Sequence, residues 1–335
     1  MKHFLRILLA LVLLLGLAIG GFKMYDWIAY NDFYSNAEVA FPTPGANDGF
    51  VQQGFDYLPE ERDFLVTGYM ADGTESRVYR LCRRGIELSM TKLLTEEGEP
   101  YTKHTGGIVR NGEYVYITND EGGLDVFAYS DIEAGAETTK KIGWIPTYNV
   151  PAYCYIYDGY LFTGSFFIEE DYETPAYERM MTPNGEQNYS LMTVFKLDET
   201  KEFGVDSTPK ALISTTRCVQ GMCITDDGKI VLSTSYGLSA SQLFIYDTTN
   251  LPKKGDYTFT DGETFTFEGL PLYYLDNAST NLVETVKAPP MAEELVYLDG
   301  KIYIMNESAC NKYIFGKFTT GYNVYAYKYA EQFAE

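Results

Sequence analysis

Apolar residues are distributed in two different ways along this chain. From Ile7 to Phe22 they form one run without a charge, preceded by Lys2, His3 and Arg6. Past residue 48 they break into short strand-length stretches separated by polar turns. The second texture repeats. In Gln220–Asp247 an apolar run, Met222-Cys223-Ile224-Thr225, meets the turn Asp226-Asp227-Gly228. Then follow Lys229-Ile230-Val231-Leu232-Ser233 and Ser241-Gln242-Leu243-Phe244-Ile245-Tyr246. Asp-Gly between apolar runs is a strong hairpin signal.

The same order returns from Glu293, with Leu298-Asp299-Gly300 as the turn and Tyr322-Asn323-Val324-Tyr325-Ala326-Tyr327 as the late strand. It is present from Gly107 with Asn111-Gly112, and from Tyr153 with Asp158-Gly159. A less regular copy starts at Gly54, with strands at Phe64–Thr67 and Arg77–Leu81. Repeats of about four strands predict an all-β fold, a five-bladed β-propeller over residues 48–335, with six blades as the alternative count. Tyr257–Asp276 reads as a hairpin inserted into the fourth unit, because it lacks the apolar, Asp-Gly, apolar order of a full one. Residues 31–47 read as a linker carrying a ring-closing strand at Ala37–Phe41, since the last unit ends too early to complete itself.

The first texture is an export signal: a basic flank, then an apolar core. Extended through Phe4 and Leu5, it reaches spanning length, with Arg6 snorkelling. Lys23, Tyr25, Trp27 and Tyr30 then form an interfacial belt. Residues 1–30 are therefore read as an uncleaved transmembrane anchor, N-terminus inside and body extracytoplasmic. The alternative is a signal peptide cleaved after Ala18-Ile19-Gly20, leaving a secreted protein.

Composition narrows the partners. The formal net charge is −21, from 47 acidic and 26 basic residues, with no basic cluster beyond Arg83-Arg84 and Lys140-Lys141. A phosphate backbone needs more, so nucleic acid is excluded as a partner. The 30 Tyr and 20 Phe suit pleated surfaces. Five cysteines without a CxxC spacing, and only two histidines, argue against a zinc site.

In a propeller, residues just before each first strand and just after each second strand converge at one end of the central channel. Here they are polar: Gln53, His104 with Thr105, Tyr153, Gln220, and Glu293 with Glu294 before first strands. Asn119 with Asp120, Ser165, Ser233 with Ser235, and Asn306 with Glu307 and Ser308 follow second strands. The expected ligand-binding residues are His104, Tyr153, Gln220, Glu293, Asn306 and Glu307. Such a set can hold a polyol, bind a divalent cation or do acid–base work. The plainer role is capping strand ends. Strand alternation predicts that one of Glu293 and Glu294 points inward and the other outward. The loops Ile168–Asn188 and Ser308–Gly321 are long enough to be lids over the mouth. No catalytic residue is assigned; G-x-S-x-G, P-loop and H-E-x-x-H patterns are absent.

The units containing Gln220-Gly221-Met222 with Ser233-Thr234-Ser235-Tyr236-Gly237, and Glu293 with Asn306-Glu307-Ser308, resemble blades of exported bacterial propellers. They are loosely similar, at fold level and over about a third of the chain, to the gluconolactonase and strictosidine-synthase-like class. That resemblance implies a divalent metal at the channel, with Glu293, Asn119 and Asn306 as its ligands here. The chain departs from the class in blade count and in lacking a clear Asp base. The expectation is a tethered propeller that binds a small polar molecule, a glycan or a partner protein. The alternatives are a metal-dependent hydrolase or lactonase and a structural platform in an envelope complex.

Overall fold

The computed structural model describes residues 2–319 and 321–333. A helix, α1 (Lys2–Ala29), leads into a short α2 (Asn31–Asn36) and strand β1 (Ala37–Pro42). The first unit is β2 (Phe50–Leu58), β3 (Asp63–Met70), β4 (Arg77–Cys82) and β5 (Glu87–Leu94). The second is β6 (Ile108–Asn111), β7 (Tyr114–Asn119), β8 (Gly123–Ala128) and β9 (Thr138–Pro146). The third is β10 (Pro151–Tyr157), β11 (Tyr160–Ser165), β14 (Ser190–Leu197) and β15 (Val205–Thr215). Its long loop carries a small ribbon of β12 (Met180–Met181) and β13 (Gln187–Asn188). The fourth unit is β16 (Val219–Ile224), β17 (Ile230–Thr234), β18 (Ser241–Tyr246) and, after a hairpin of β19 (Lys253–Thr260) and β20 (Thr266–Tyr274), β21 (Leu282–Ala288). The last is β22 (Ala292–Leu298), β23 (Lys301–Asn306) and β24 (Asn323–Tyr327).

Each unit is an antiparallel meander. Its first strand touches the first strands of its neighbours in a closed cycle, β2 to β6 to β10 to β16 to β22 and back to β2. Sheets radiating from a closed ring of inner strands make a β-propeller. The last unit gains its fourth strand from the other end of the chain: β1 pairs antiparallel with β24, Ala37 opposite Tyr327 and Pro42 opposite Asn323. Phe41 is buried there against Phe55, Phe64 and Tyr303.

Two sequence expectations change. The hairpin β19–β20 is inserted in the fourth unit by sequence but pairs in parallel with β15, the outer strand of the third, Leu212 opposite Leu272. Its Phe259, Leu270 and Leu272 build an apolar cluster with Leu191 and Leu212. The outer edge of the third unit takes up the ribbon's backbone hydrogen bonds, while within the fourth unit β18 pairs with β21. Residues 31–47 are also no slack linker. Phe33 is buried and stacks on Tyr327, and Tyr30 joins the same core. The packed body therefore reaches back into α1, past the boundary at residue 30. Asp26 is buried and accepts a 2.9 Å hydrogen bond from the Tyr34 hydroxyl, which also bonds Thr319 O.

Candidate functional site

Four of the five inner strands share an irregularity. Pairing slips between Gln52 and Phe55 in β2, Pro151 and Tyr153 in β10, Val219 and Gly221 in β16, and Ala292 and Leu295 in β22. A bulge frees residues from the ladder and re-aims their side chains. The freed residues include Gln53, Gln220, Glu293 and Glu294. This is why Glu293 and Glu294 do not alternate inward and outward as expected: both are buried, Glu293 at 2% exposure.

Around Glu293 the structure gathers most of the expected set. Gln220 Nε2 approaches Glu293 Oε1 at 3.5 Å, and Ser233 Oγ donates to Glu293 O. Burial, then the Glu307 and Glu294 carboxylates, push the Glu293 carboxyl well above the usual range. Glu307 is half-buried; the Tyr69 hydroxyl donates to its Oε1 at 3.4 Å, with Tyr313 OH 3.4 Å from Tyr69 OH. Burial raises its carboxyl, opposed by Tyr313, Lys312, Tyr69 and Gln53. The Lys312 ammonium donates to Tyr69 OH at 2.5 Å. The His104 ring lies 5.1 Å from the Tyr69 ring. His104 is exposed to solvent yet crowded by protein, and that crowding lowers its basicity, with Asp120 opposing and Lys312 reinforcing.

Other expected residues lie apart. Tyr153 is buried core: its ring occupies the space over Gly164 and packs with Met192, Ile213, Val219 and Met222. Asn306 Nδ2 donates to Pro290 O at 3.1 Å, tying β23 to the chain entering β22. Asn119 Oδ1 accepts the Glu121 N–H at 2.8 Å and so holds a turn. Both asparagines hydrogen-bond backbone at strand ends, as caps do, while Asn306 Oδ1 and Asn119 Nδ2 are buried without a hydrogen-bond partner. Among the described residues no group of three or more His, Cys, Asp or Glu could hold a metal ion. All five cysteines are free thiols. The long loop of the third unit is pinned rather than free to close: Ser165 Oγ donates to the buried Glu178, whose carboxyl burial pushes up to about 8.

Sequence reading missed Tyr69 at the mouth. It is the last residue but one of β3, the second strand of the first unit, one place short of the position that Asn119 takes in β7 and Asn306 in β23. Aligning the irregular first unit with the others would have found it.

Deeper in the ring, Glu294 is fully buried between the inner strands, with the backbone N–H groups of Phe55, Ile108 and Cys154 turned toward its carboxyl. Two glycines make room. A Cβ on Gly107 would stand 3.0 Å from Glu294 Oε2 and 2.7 Å from Cys154 N, and one on Gly221 would collide with the Glu294 backbone. Burial holds the Glu294 carboxyl well above its ordinary range. Beyond it, the far end of the channel opens into a cavity of about 490 Å³ lined by Asp56, Val109, Tyr155, Ile156, Val296 and Tyr297 among others. Asp56 accepts the Arg110 and Tyr57 N–H groups, each at 2.9 Å, and burial pushes its carboxyl up to about 7.

No family model and no curated protein matches the chain. Among solved structures, it is similar to an exo-β-1,3-galactanase from Phanerochaete chrysosporium with galactose, at 10% identity and a TM-score of 0.42, covering 87% of this chain and 64% of that one. It is also similar to the PQQ-bound aldose sugar dehydrogenase from Streptomyces coelicolor, at 15% identity and a TM-score of 0.38, covering 81% and 78%. Hydrazine synthase from Kuenenia stuttgartiensis matches at 11% identity and a TM-score of 0.37; the similarity covers 76% of this chain and 55% of that one, about half its length. None reaches a TM-score of 0.5, so the fold assignment rests on the strand pairing and the closed inner ring.

Proposed function

We propose that this chain is a five-bladed propeller, tethered outside the cytoplasm by α1, that binds a small polyhydroxylated molecule, a neutral or amino sugar, at the channel mouth. The observation that carries this reading is the buried Glu293 carboxyl, aimed by a bulge toward Gln220 and the cluster of Glu307, Tyr69 and His104. Carboxyl, amide and phenol groups supply both donors and acceptors, which a set of hydroxyls requires. Two adjacent carboxyls disfavour an anionic ligand.

The test is calorimetric titration of the full chain, in detergent, with a panel of neutral, amino and acidic sugars. Glu293→Gln and His104→Ala are expected to weaken binding by about two- to tenfold, the loss of about 0.5–1.5 kcal/mol from a hydrogen bond between neutral groups. Melting temperature should stay nearly constant. Binding unchanged in both variants, with a lowered melting temperature, would assign these residues to the fold instead.

A further inference from the structure

The docking of α1 fixes which face of the propeller meets the membrane. The helix leaves the body beside the loop joining β23 to β24. Phe22 packs edge-on against Phe318 with centroids 6.1 Å apart, and Lys23 Nζ reaches Lys317 O at 3.4 Å. That loop follows a second strand, so it opens on the face that carries Glu293, Glu307 and His104. From Phe22 back to Lys2 the helix has almost no protein around it. At 1.5 Å per residue, its first 20 or so residues span about 30 Å, the thickness of the hydrocarbon core. Phe22, and with it Phe318, then sits at the outer boundary of that core.

The same loop exposes two large apolar side chains, Ile314 at 60% and Phe315 at 68%. The neighbouring loops of that face expose Leu238 and an aromatic group in which Phe166 meets Tyr172 and Tyr236. Apolar and aromatic side chains grouped on one face mark an interaction surface.

We infer that this face docks on the bilayer that holds α1, with Ile314 and Phe315 entering the interface and the channel mouth opening toward lipid. The inference rests on α1 being a retained anchor. The occupant is lipid rather than a protein because the surface is continuous with the helix and lies at the depth where the helix leaves the hydrocarbon. The attachment is apolar. Lys312 is the exposed cation of the docking loop, but with a net charge of −21 and Glu169, Glu170 and Asp171 on the same face, anionic headgroups would be repelled.

The experiment uses the full chain in nanodiscs of phosphatidylcholine containing a nitroxide-bearing phospholipid. Cys82 and Cys218, the two partly exposed thiols, are changed to Ser. A fluorophore is placed in turn by Ile314→Cys, Phe315→Cys, Leu13→Cys within α1, and Ile86→Cys on the exposed turn between β4 and β5, on the opposite face. The expected result is loss of most fluorescence at 314, 315 and 13, and none at 86. Quenching at 13 with 314 and 315 as bright as 86 overturns the docking and leaves the anchor standing. No quenching at 13 overturns the anchor and the docking together. Quenching at 314 and 315 only when phosphatidylglycerol replaces phosphatidylcholine overturns the apolar attachment.

Discussion

The two ends of the channel are built from the same five inner strands and come out as different surfaces. At the mouth four of the five strands are bulged, and the freed residues include amides and carboxyls: Gln53, Gln220 and Glu293. At the far end pairing is regular, and the lining is mostly aromatic and aliphatic, Val109, Tyr155, Ile156, Val296 and Tyr297, with Asp56, Glu60 and Arg110 as its charged residues. Glu294 fills the ring between them. A regular ladder assigns its residues to the faces of the sheets, where they pack as core. A bulge takes residues out of that assignment and leaves them for a ligand. The mouth should therefore tolerate substitution, and the far end should not.

The largest effect should come from the far end. Tyr155→Ala removes a ring that packs against two of the core clusters, at an expected cost of about 3 kcal/mol in chemical denaturation. A cost near zero would mean that the far end is a free pocket like the mouth. Gly221→Ala probes the plug between the ends. Its Cβ would overlap the Glu294 backbone, and the expected loss is about 1–3 kcal/mol, without which the inner strands must be more loosely packed than described.

A smaller effect concerns pH. Asp56 takes up its proton at about 7 in the folded protein, against about 4 in an unfolded chain. Between those values the folded state binds more protons, so this group lowers stability as pH rises from about 4 to about 7. Glu178, at about 8, acts in the same direction. Melting temperature should therefore drop between pH 5 and pH 8, and Asp56→Asn should remove part of the drop. An identical slope in the variant would show an Asp56 that is already ionised and hydrated. The smallest effect belongs to the mouth: Gln220→Ala should change stability by no more than about 0.5 kcal/mol. A loss as large as that of Tyr155→Ala would erase the difference between the two ends.

What could be read from the sequence follows the same division. The Asp-Gly turns and the alternating strands are local signals, and the meanders they predict are the ones the chain forms. The bulge at Glu293-Glu294 has no local signature, so alternation assigned that pair wrongly. Asp56 sits between Phe55 and Tyr57 and reads as an ordinary strand position; only the closed ring makes it an acid in a cavity. Tyr153 carries the same flanking signal as Gln220, yet the space over Gly164 draws its ring into the core. The pairing of β20 with β15 depends on which sheet edge the ring leaves open, a property of the assembled fold rather than of either segment.

The pairing of β1 with β24 also sets an order of events during synthesis. Ala37 meets a partner, Tyr327, made about 290 residues later. At roughly 5–20 residues per second, β1 waits on the order of 15–60 seconds for it. Throughout that interval one β-edge near the start of the chain stands open, while the units between assemble in turn. Glu38 and Pro42 place a charge and a missing N–H on that waiting strand, both of which discourage pairing with a stranger. A ribosome that stalls before Asn323 would therefore leave every completed unit in place and still release an open ring.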